Sequence, residues 1–562
     1  MAANWKRCRT PGPEPGPRRG RSAYAIGVDF GTESGRALLL DLDSGDELAV
    51  EVVPYPSAVI DRTLPSTGEQ LPPDWALQDP RDWVTVMETG IPALLSRSGA
   101  RADEVVGIGV DFTSCTVLPV AADGAPLCTL ERWRNRRHAW PKLWKHHSAQ
   151  PVADRLNEVA LERGEDFLAR YGGRISSEWY FPKLIELWLE DREVYDAAGA
   201  FLEATDWIIW HLTGRECRQL CTAGYKALYL PEHGGLPPAD YFAAAYPGFE
   251  RPAEKLGQRF VPLGTSAGRL RPEVASRLGL GDGVSVAVGN VDSFVSVPGA
   301  GVREPGVFVT VVGTSICDMV VHGEERPIPG ITGVVRDGIL PGLYGYEAGQ
   351  VAVGDMLAWF AREVARDRTL GELERAASSL APGQTGLVAL DWWNGNRSIL
   401  ADADLSGAIF GLGLHSTSTE VYRALLESIA FGNRRIVENF TEHGLAITEI
   451  LACGGIAVRS PLLMQTFADV SGLRVRVPDS DEIPARGAAL FGGVAAGYFE
   501  DIYAAIEATR PADRRVYEPE PHAEAVYEQV YGIYRELYGL LGSERAELLR
   551  TLKQIRNERR RA

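Results

Sequence analysis

From residue 24 onward, short apolar runs alternate with stretches of helical period, the signature of strands interleaved with helices. Residues 24–28 form an apolar run that ends in Asp29-Phe30-Gly31-Thr32-Glu33-Ser34-Gly35-Arg36 and resumes over 37–42, which predicts strand, tight glycine turn, strand. Residues 105–110 predict a third strand ending at Asp111, and 116–120 a fourth. Leu184, Leu187 and Trp188, then 207–212, carry helical spacing on either side of a break. The strand-like run 284–288 leads into Gly289-Asn290-Val291-Asp292, and 307–312, Gly313-Thr314-Ser315 and 316–321 follow. Val421, Leu425, Ile429, Ile436 and Phe440 predict a long helix; 450–453 is a strand ending in Gly454-Gly455, and 461–470 a helix. Tyr527, Val530, Tyr531, Tyr534 and Leu537 share one face of a last helix, read as packing on the core. The alternation predicts an α/β architecture.

The mid-chain pattern repeats the opening one: apolar run, Gly-Thr turn, apolar run. A recurrence at almost half the chain length predicts two related halves, and 562 residues exceed what one hydrophobic core supports. The boundary is placed near residue 302, giving halves at 24–302 and 303–545, a leader at 1–23 and a tail at 546–562. The leader is basic and rich in Pro and Gly, without the apolar segment of a signal peptide, and reads as disordered. The tail carries Arg559, Arg560 and Arg561.

With 58 basic and 75 acidic residues the net charge is −17, which argues against a protein that binds nucleic acid by neutralising phosphates. The longest apolar stretch, 307–321, is interrupted by Gly313, Thr314, Ser315 and Asp318, so no membrane partner is expected. The seven cysteines, at 8, 115, 128, 217, 221, 317 and 453, form no Cys-x-x-Cys pair; a reducing, cytoplasmic setting is expected. Glycine, at 60 residues, is in excess and points to tight turns and to backbone lying against phosphates.

No Gly-x-x-x-x-Gly-Lys loop and no Gly-x-Gly-x-x-Gly after a strand occurs, and the adjacent His146 and His147 read as a solvated pair rather than metal ligands. The two Gly-Thr turns are the remaining phosphate candidates. Such a turn aims backbone N–H groups at phosphate oxygens, and an Asp at the strand end can hold hydrated Mg²⁺. Asp29 suits the metal, Gly31 and Thr32 the phosphates, and Arg36 either a phosphate or a structural pair. Gly313 and Thr314 would form the second phosphate turn, and Gly454 and Gly455 a strand-to-helix turn that admits adenine against backbone.

These segments, in this order, resemble the FGGY family of carbohydrate kinases within the actin-like ATPase superfamily. Asp29-x-Gly-Thr-x-Ser-x-Arg36 resembles the first phosphate motif, and Phe181-Pro182-Lys183-Leu184 through Trp188 the family's Lys-Leu-x-Trp region. Gly289-Asn290-Val291-Asp292 resembles the catalytic-base motif and Val311-Val312-Gly313-Thr314-Ser315 the second phosphate motif. Gly454-Gly455-Ile456 through Gly472 is similar to the adenosine motif, with Gln465 where Asn is common, and Arg486-Gly487-Ala488-Ala489-Leu490 to the helix after it. Within the family the chain is most like members that act on ribulose, through Gly109-Val110-Asp111-Phe112-Thr113-Ser114-Cys115-Thr116, Ala223-Gly224-Tyr225-Lys226-Ala227, Tyr346-Glu347-Ala348-Gly349-Gln350 and the segment from Ala389 to Arg397.

The resemblance implies two ribonuclease-H-like (actin-like ATPase) α/β domains flanking a catalytic cleft, with ATP and Mg²⁺ as cofactors. It implies transfer of phosphate to the 5-hydroxyl of L-ribulose, with D-ribulose open, in pentose catabolism. Asp292 is expected to be the catalytic base, with Ser114, Lys226 and Glu347 around the ketopentose; Asp111 either joins them or caps its turn. Ser114 acts through its side chain or its backbone. Cys115, Cys317, Trp392 and Trp393 are expected to pack. A homodimer is compatible with the family. The alternatives are a family member acting on xylulose, ribitol or glycerol, and an actin-like nucleotide switch without enzymatic activity.

Overall fold

A computed structural model describes residues 22–257 and 259–561. The leader read over 1–23, Cys8 included, lies outside the described residues except for its last two positions.

The first sheet is built from β1 (Tyr24–Phe30), β2 (Ser34–Asp41), β3 (Glu47–Pro54) and β4 (Val105–Phe112). A small separate pair, β5 (Val117–Val120) and β6 (Ala200–Glu203), precedes its remaining strands, β7 (Ser266–Arg269), β8 (Ser285–Ala287) and β9 (Asn290–Val291). The order is β3-β2-β1-β4-β8-β7, with β9 pairing the end of β4. The second sheet uses β10 (Val307–Val312), β11 (Ile316–His322), β12 (Gly333–Arg336), β13 (Tyr344–Gln350), β16 (Glu449–Cys453), β17 (Arg474–Pro478) and β18 (Asp513–Tyr517), in the order β12-β13-β11-β10-β16-β17-β18. Between them in the chain lies a second small pair, β14 (Val388–Leu390) with β15 (Ala408–Phe410).

The two sheets share one plan. An antiparallel hairpin, β1–β2 or β10–β11, is extended on one side by an antiparallel strand, β3 or β13, and on the other by two parallel strands, β4 and β8 or β16 and β17. β1 and β4 are buried along nearly their whole length, as parallel strands covered on both faces must be. The predicted helices are present as Tyr180–Glu190, Ala204–Thr213, Ser418–Glu442, Pro461–Ser471 and Pro521–Gly539. The longest starts at a Thr417/Glu420 capping box, in which each residue satisfies the other's backbone N–H. Tyr527, Tyr531 and Tyr534 are buried against the second core as the pattern predicts, and the residues read as a basic tail form the helix Ala546–Arg561.

The two halves are not separate in space as they are in sequence. The helix Ile483–Ala495, which lies within 303–545, covers β1 and β4 of the first sheet. A Cβ at Gly27 would stand 1.7 Å from the carbonyl oxygen of Ala485, and one at Gly109 1.7 Å from that of Ala488. Only glycine permits that approach. Part of the glycine excess therefore serves helix-on-sheet packing rather than phosphate contact. The same helix crosses Asp292–Gly299, the helix that opens at the expected base, so the side chain of Asp292 is mounted at the junction of the halves.

Candidate active site

A cleft of about 460 Å³ opens between the halves. Of the residues singled out from the sequence, Thr32, Ser114, Lys226, Asp292, Gly313, Thr314 and Glu347 line it. Asp29, Asp111, Gly31, Arg36, Gly454 and Gly455 are not among the lining residues.

The two turns are built alike: the N–H of Gly31 donates to the Ser34 carbonyl at 3.0 Å, and that of Gly313 to the Ser315 carbonyl at 2.9 Å. Gln78 Nε2 donates to the Thr32 carbonyl at 2.8 Å, and Trp144 Nε1 to Thr32 Oγ1 at 3.0 Å. The second turn is tied by the N–H groups of Val353 and Gly354, which donate to the carbonyls of Thr314 (2.9 Å) and Gly313 (3.1 Å). Gly454 holds a φ of 90°, and a Cβ there would stand 2.7 Å from the Val312 carbonyl oxygen, so the start of the helix Gly455–Arg459 lies beside the second turn.

Parallel pairing of β1 with β4 sets Asp29 beside Asp111 at the carboxyl ends of the strands, where α/β sheets bind ligands. Both are buried. Arg36 Nη1 lies 3.3 Å from Asp29 Oδ2 and its Nε 3.2 Å from Glu482 Oε2, so Arg36 makes a structural pair here. Asp29 Oδ1 and both carboxylate oxygens of Asp111 have no donor. Burial raises the pKa of Asp29 against the pull of Arg36, and burial followed by the charges of Asp29 and Asp292 pushes Asp111 well up. Two buried carboxylates with three unmatched oxygens fit a divalent cation of the Mg²⁺ type, which is commonly held by one or two carboxylates plus phosphates.

Asp292 faces the cleft from the first position of its helix. Its Oδ1 accepts the Ser293 N–H at 2.7 Å, and burial together with the charge of Asp29 raises its pKa to about 7. A carboxylate poised there is matched to general-base work near neutral pH. Lys226, at the end of the helix Leu220–Lys226 in the first half, donates from Nζ to Glu347 Oε2 at 2.6 Å on β13 in the second half. Both are nearly buried, and the pair spans the cleft floor.

Several lining residues escaped the sequence reading. Trp144, His147 and the stretch from Arg174 to Trp179 face the cleft from irregular segments that have no periodicity to betray them, and Gln150 from the first position of the helix Gln150–Arg163. Asn394, Asn396 and Arg397, quoted above for resemblance alone, also line it. The reading of His146 and His147 as a solvated pair is corrected. His146 is buried, with Nε2 3.0 Å from Glu186 Oε2, and burial lowers its pKa to about 3; His147 is exposed at the cleft wall. Cys115 and Cys317 both line the cleft, Cys115 being buried in the first core and Cys317 packed against it, and Trp392 is buried as expected.

Sequence comparison agrees with this geometry. The N-terminal domain of the FGGY family of carbohydrate kinases matches residues 24–299, and its C-terminal domain matches 308–496. The chain belongs to the FGGY family of carbohydrate kinases. It is similar to the ribulokinase of Anoxybacillus flavithermus, 47% identical over 94% of this chain and 96% of that one, and to that of Mycolicibacterium smegmatis, 42% identical over 96% and 97%. Among solved structures it is similar to a xylulose kinase from Rhodospirillum rubrum, with TM-score 0.75, 25% identity and coverage of 92% of this chain and 99% of that one. A glycerol kinase from Plasmodium falciparum, solved with ADP, shares the fold at TM-score 0.73 and 16% identity, over 92% and 98%. Membership makes the protein a sugar kinase with the two-domain α/β fold. Among the described residues no helix is long and apolar enough to cross a membrane.

Proposed function

We propose that this kinase transfers the γ-phosphoryl group of ATP to the terminal 5-hydroxyl of ribulose, L-ribulose first and D-ribulose as the second candidate. The observation that carries the reading is the Lys226–Glu347 pair beside Asp292, at a cleft whose full-length relatives are ribulokinases. A charged pair on the floor gives a polyol both donors and acceptors, and a site built to bond hydroxyls discriminates strongly against analogues that lack them.

In this reading Ser114, Lys226 and Glu347 hold the sugar, and Asp292 accepts the proton of the 5-hydroxyl as its oxygen bonds to the γ-phosphorus and the bond to the β-phosphate oxygen breaks, leaving ADP. The turns at Gly31-Thr32 and Gly313-Thr314, closed by their glycine N–H groups, present the N–H groups that follow, beginning with those of Thr32 and Thr314, to the phosphates, and Gly454-Gly455 seats the adenosine. Asp29 and Asp111 would hold Mg²⁺, which neutralises charge on the phosphate oxygens when bound. Alignment and electrostatics carry most of phosphoryl transfer, and every proposed group is fixed by an element of one of the two sheets or by the helices at their junction. The free cysteines among the described residues support a reducing, cytoplasmic location.

Release of ADP, measured by enzyme coupling across L-ribulose, D-ribulose, D-xylulose, ribitol and glycerol, tests the substrate. Turnover should be selective for a ribulose; equal stimulation by xylulose or glycerol would overturn the assignment while leaving a sugar kinase in place.

A further inference from the structure

Lys183 lies on the helix Tyr180–Glu190 and is wholly buried. Its ammonium donates to two main-chain carbonyls, that of Cys115 at 2.8 Å and that of Leu143 at 2.9 Å. Burying an ammonium is costly, and an apolar side chain of the same length would pack there at less expense, so the charge has a use in the bonds it makes.

Those two bonds reach two walls of the cleft. Cys115 holds a φ of 59°, in the left-handed region that a side chain disfavours, and such a conformation persists only when its surroundings over-determine it. It directly follows Ser114, whose hydroxyl has no partner within the protein and which lines the cleft. The same turn is closed by a 2.9 Å contact between the hydroxyls of Thr113 and Thr116. The second carbonyl belongs to Leu143, next to Trp144, whose indole N–H donates to Thr32 Oγ1 in the first phosphate turn.

We infer that Lys183 is a positioning residue: its ammonium holds the Cys115 carbonyl inward, fixes the left-handed turn that presents Ser114, and locks that turn to the wall behind Thr32. This rests on the reading of Ser114 as part of the sugar site. The sugar is whichever ketose the wild-type protein phosphorylates, so failure of the ribulose assignment would appear in the wild-type assay and is separable from failure here.

The test is a double-substitution cycle. Lys183→Met should raise the sugar KM about tenfold or more, leaving ADP affinity, measured by calorimetry, within about twofold; small displacements of a positioned group cost this much. Cys115→Gly, introduced into Lys183→Met, should recover most of the sugar KM, because glycine enters the left-handed region without penalty. A role confined to core stability predicts no such recovery. The inference fails if sugar and ADP affinity fall together, if neither changes, or if the double variant is no better than Lys183→Met. Should Lys183→Met not accumulate as folded protein, Lys183→Leu, which likewise removes every donor, carries the same cycle with the same outcomes.

Discussion

The two hairpin turns occupy equivalent places in sheets of the same strand order, yet their surroundings differ in charge. Aligned on Gly31 and Gly313, the residue two before each turn is Asp29 in the first sheet and Val311 in the second. The residue paired with it on the neighbouring parallel strand is Asp111 in the first and Cys453 in the second. Asp292 adds a third carboxylate on the first side; burial pushes all three up, and the charge of Asp29 pushes Asp111 and Asp292 further. A duplicated scaffold thus offers two backbone cradles of one shape, and at these two aligned positions only the first carries carboxylates. Strand order supplies position; side chains at two or three strand ends set the charge beside each cradle.

The largest effect that breaks this asymmetry is expected at Asp292. Asp292→Asn keeps the shape and removes the proton acceptor, and kcat should fall by about 10²–10⁴-fold, read by steady-state ADP release. Next comes the pair that joins the halves. Lys226→Met leaves Glu347 buried and unpaired, which costs about 3 kcal/mol or more; the thermal midpoint should drop, and the sugar KM should rise far more than the ATP KM.

The smallest effect concerns acid stability of the first half. Folded His146 resists protonation until about pH 3 and Glu186, despite its burial, is held ionised to about 2 by the His146 hydrogen bond and the Lys142 charge, whereas both take protons earlier in the unfolded chain. Stability contributed by the pair is therefore lost as pH falls from about 6.5 towards 3. Thermal midpoints measured between pH 7 and 5 should fall less steeply for His146→Gln than for the wild type.

Much of this comparison is legible in the sequence, because β1, β2, β10 and β11 are apolar runs ending at glycine turns and their repetition at mid-chain is visible without coordinates. Asp29 and Asp111 stand at the ends of the apolar runs 24–28 and 105–110, and Asp292 follows the run 284–288, so all three are visible in the same pattern. Two kinds of information are not legible. The helix Ile483–Ala495 crosses to the other half's sheet, a long-range contact recorded only as unexplained glycines at 27 and 109. The walls contributed by Trp144, His147 and the segment 174–179 are irregular backbone, located by packing rather than by period. Burial of His146 is hidden likewise, since an adjacent histidine pair carries no sign of which ring faces inward.

One pair of variants bears most directly on the division of labour between the halves. Asp292→Asn and Gly454→Val, each assayed for kcat at saturating substrates and for ADP affinity, should show opposite patterns. Asp292→Asn should lose turnover with ADP affinity unchanged. Gly454→Val places a side chain at a φ of 90° against the Val312 carbonyl and should weaken ADP binding about tenfold while keeping most of kcat at saturation. Loss of ADP affinity in Asp292→Asn, or loss of turnover with intact ADP binding in Gly454→Val, would contradict the account.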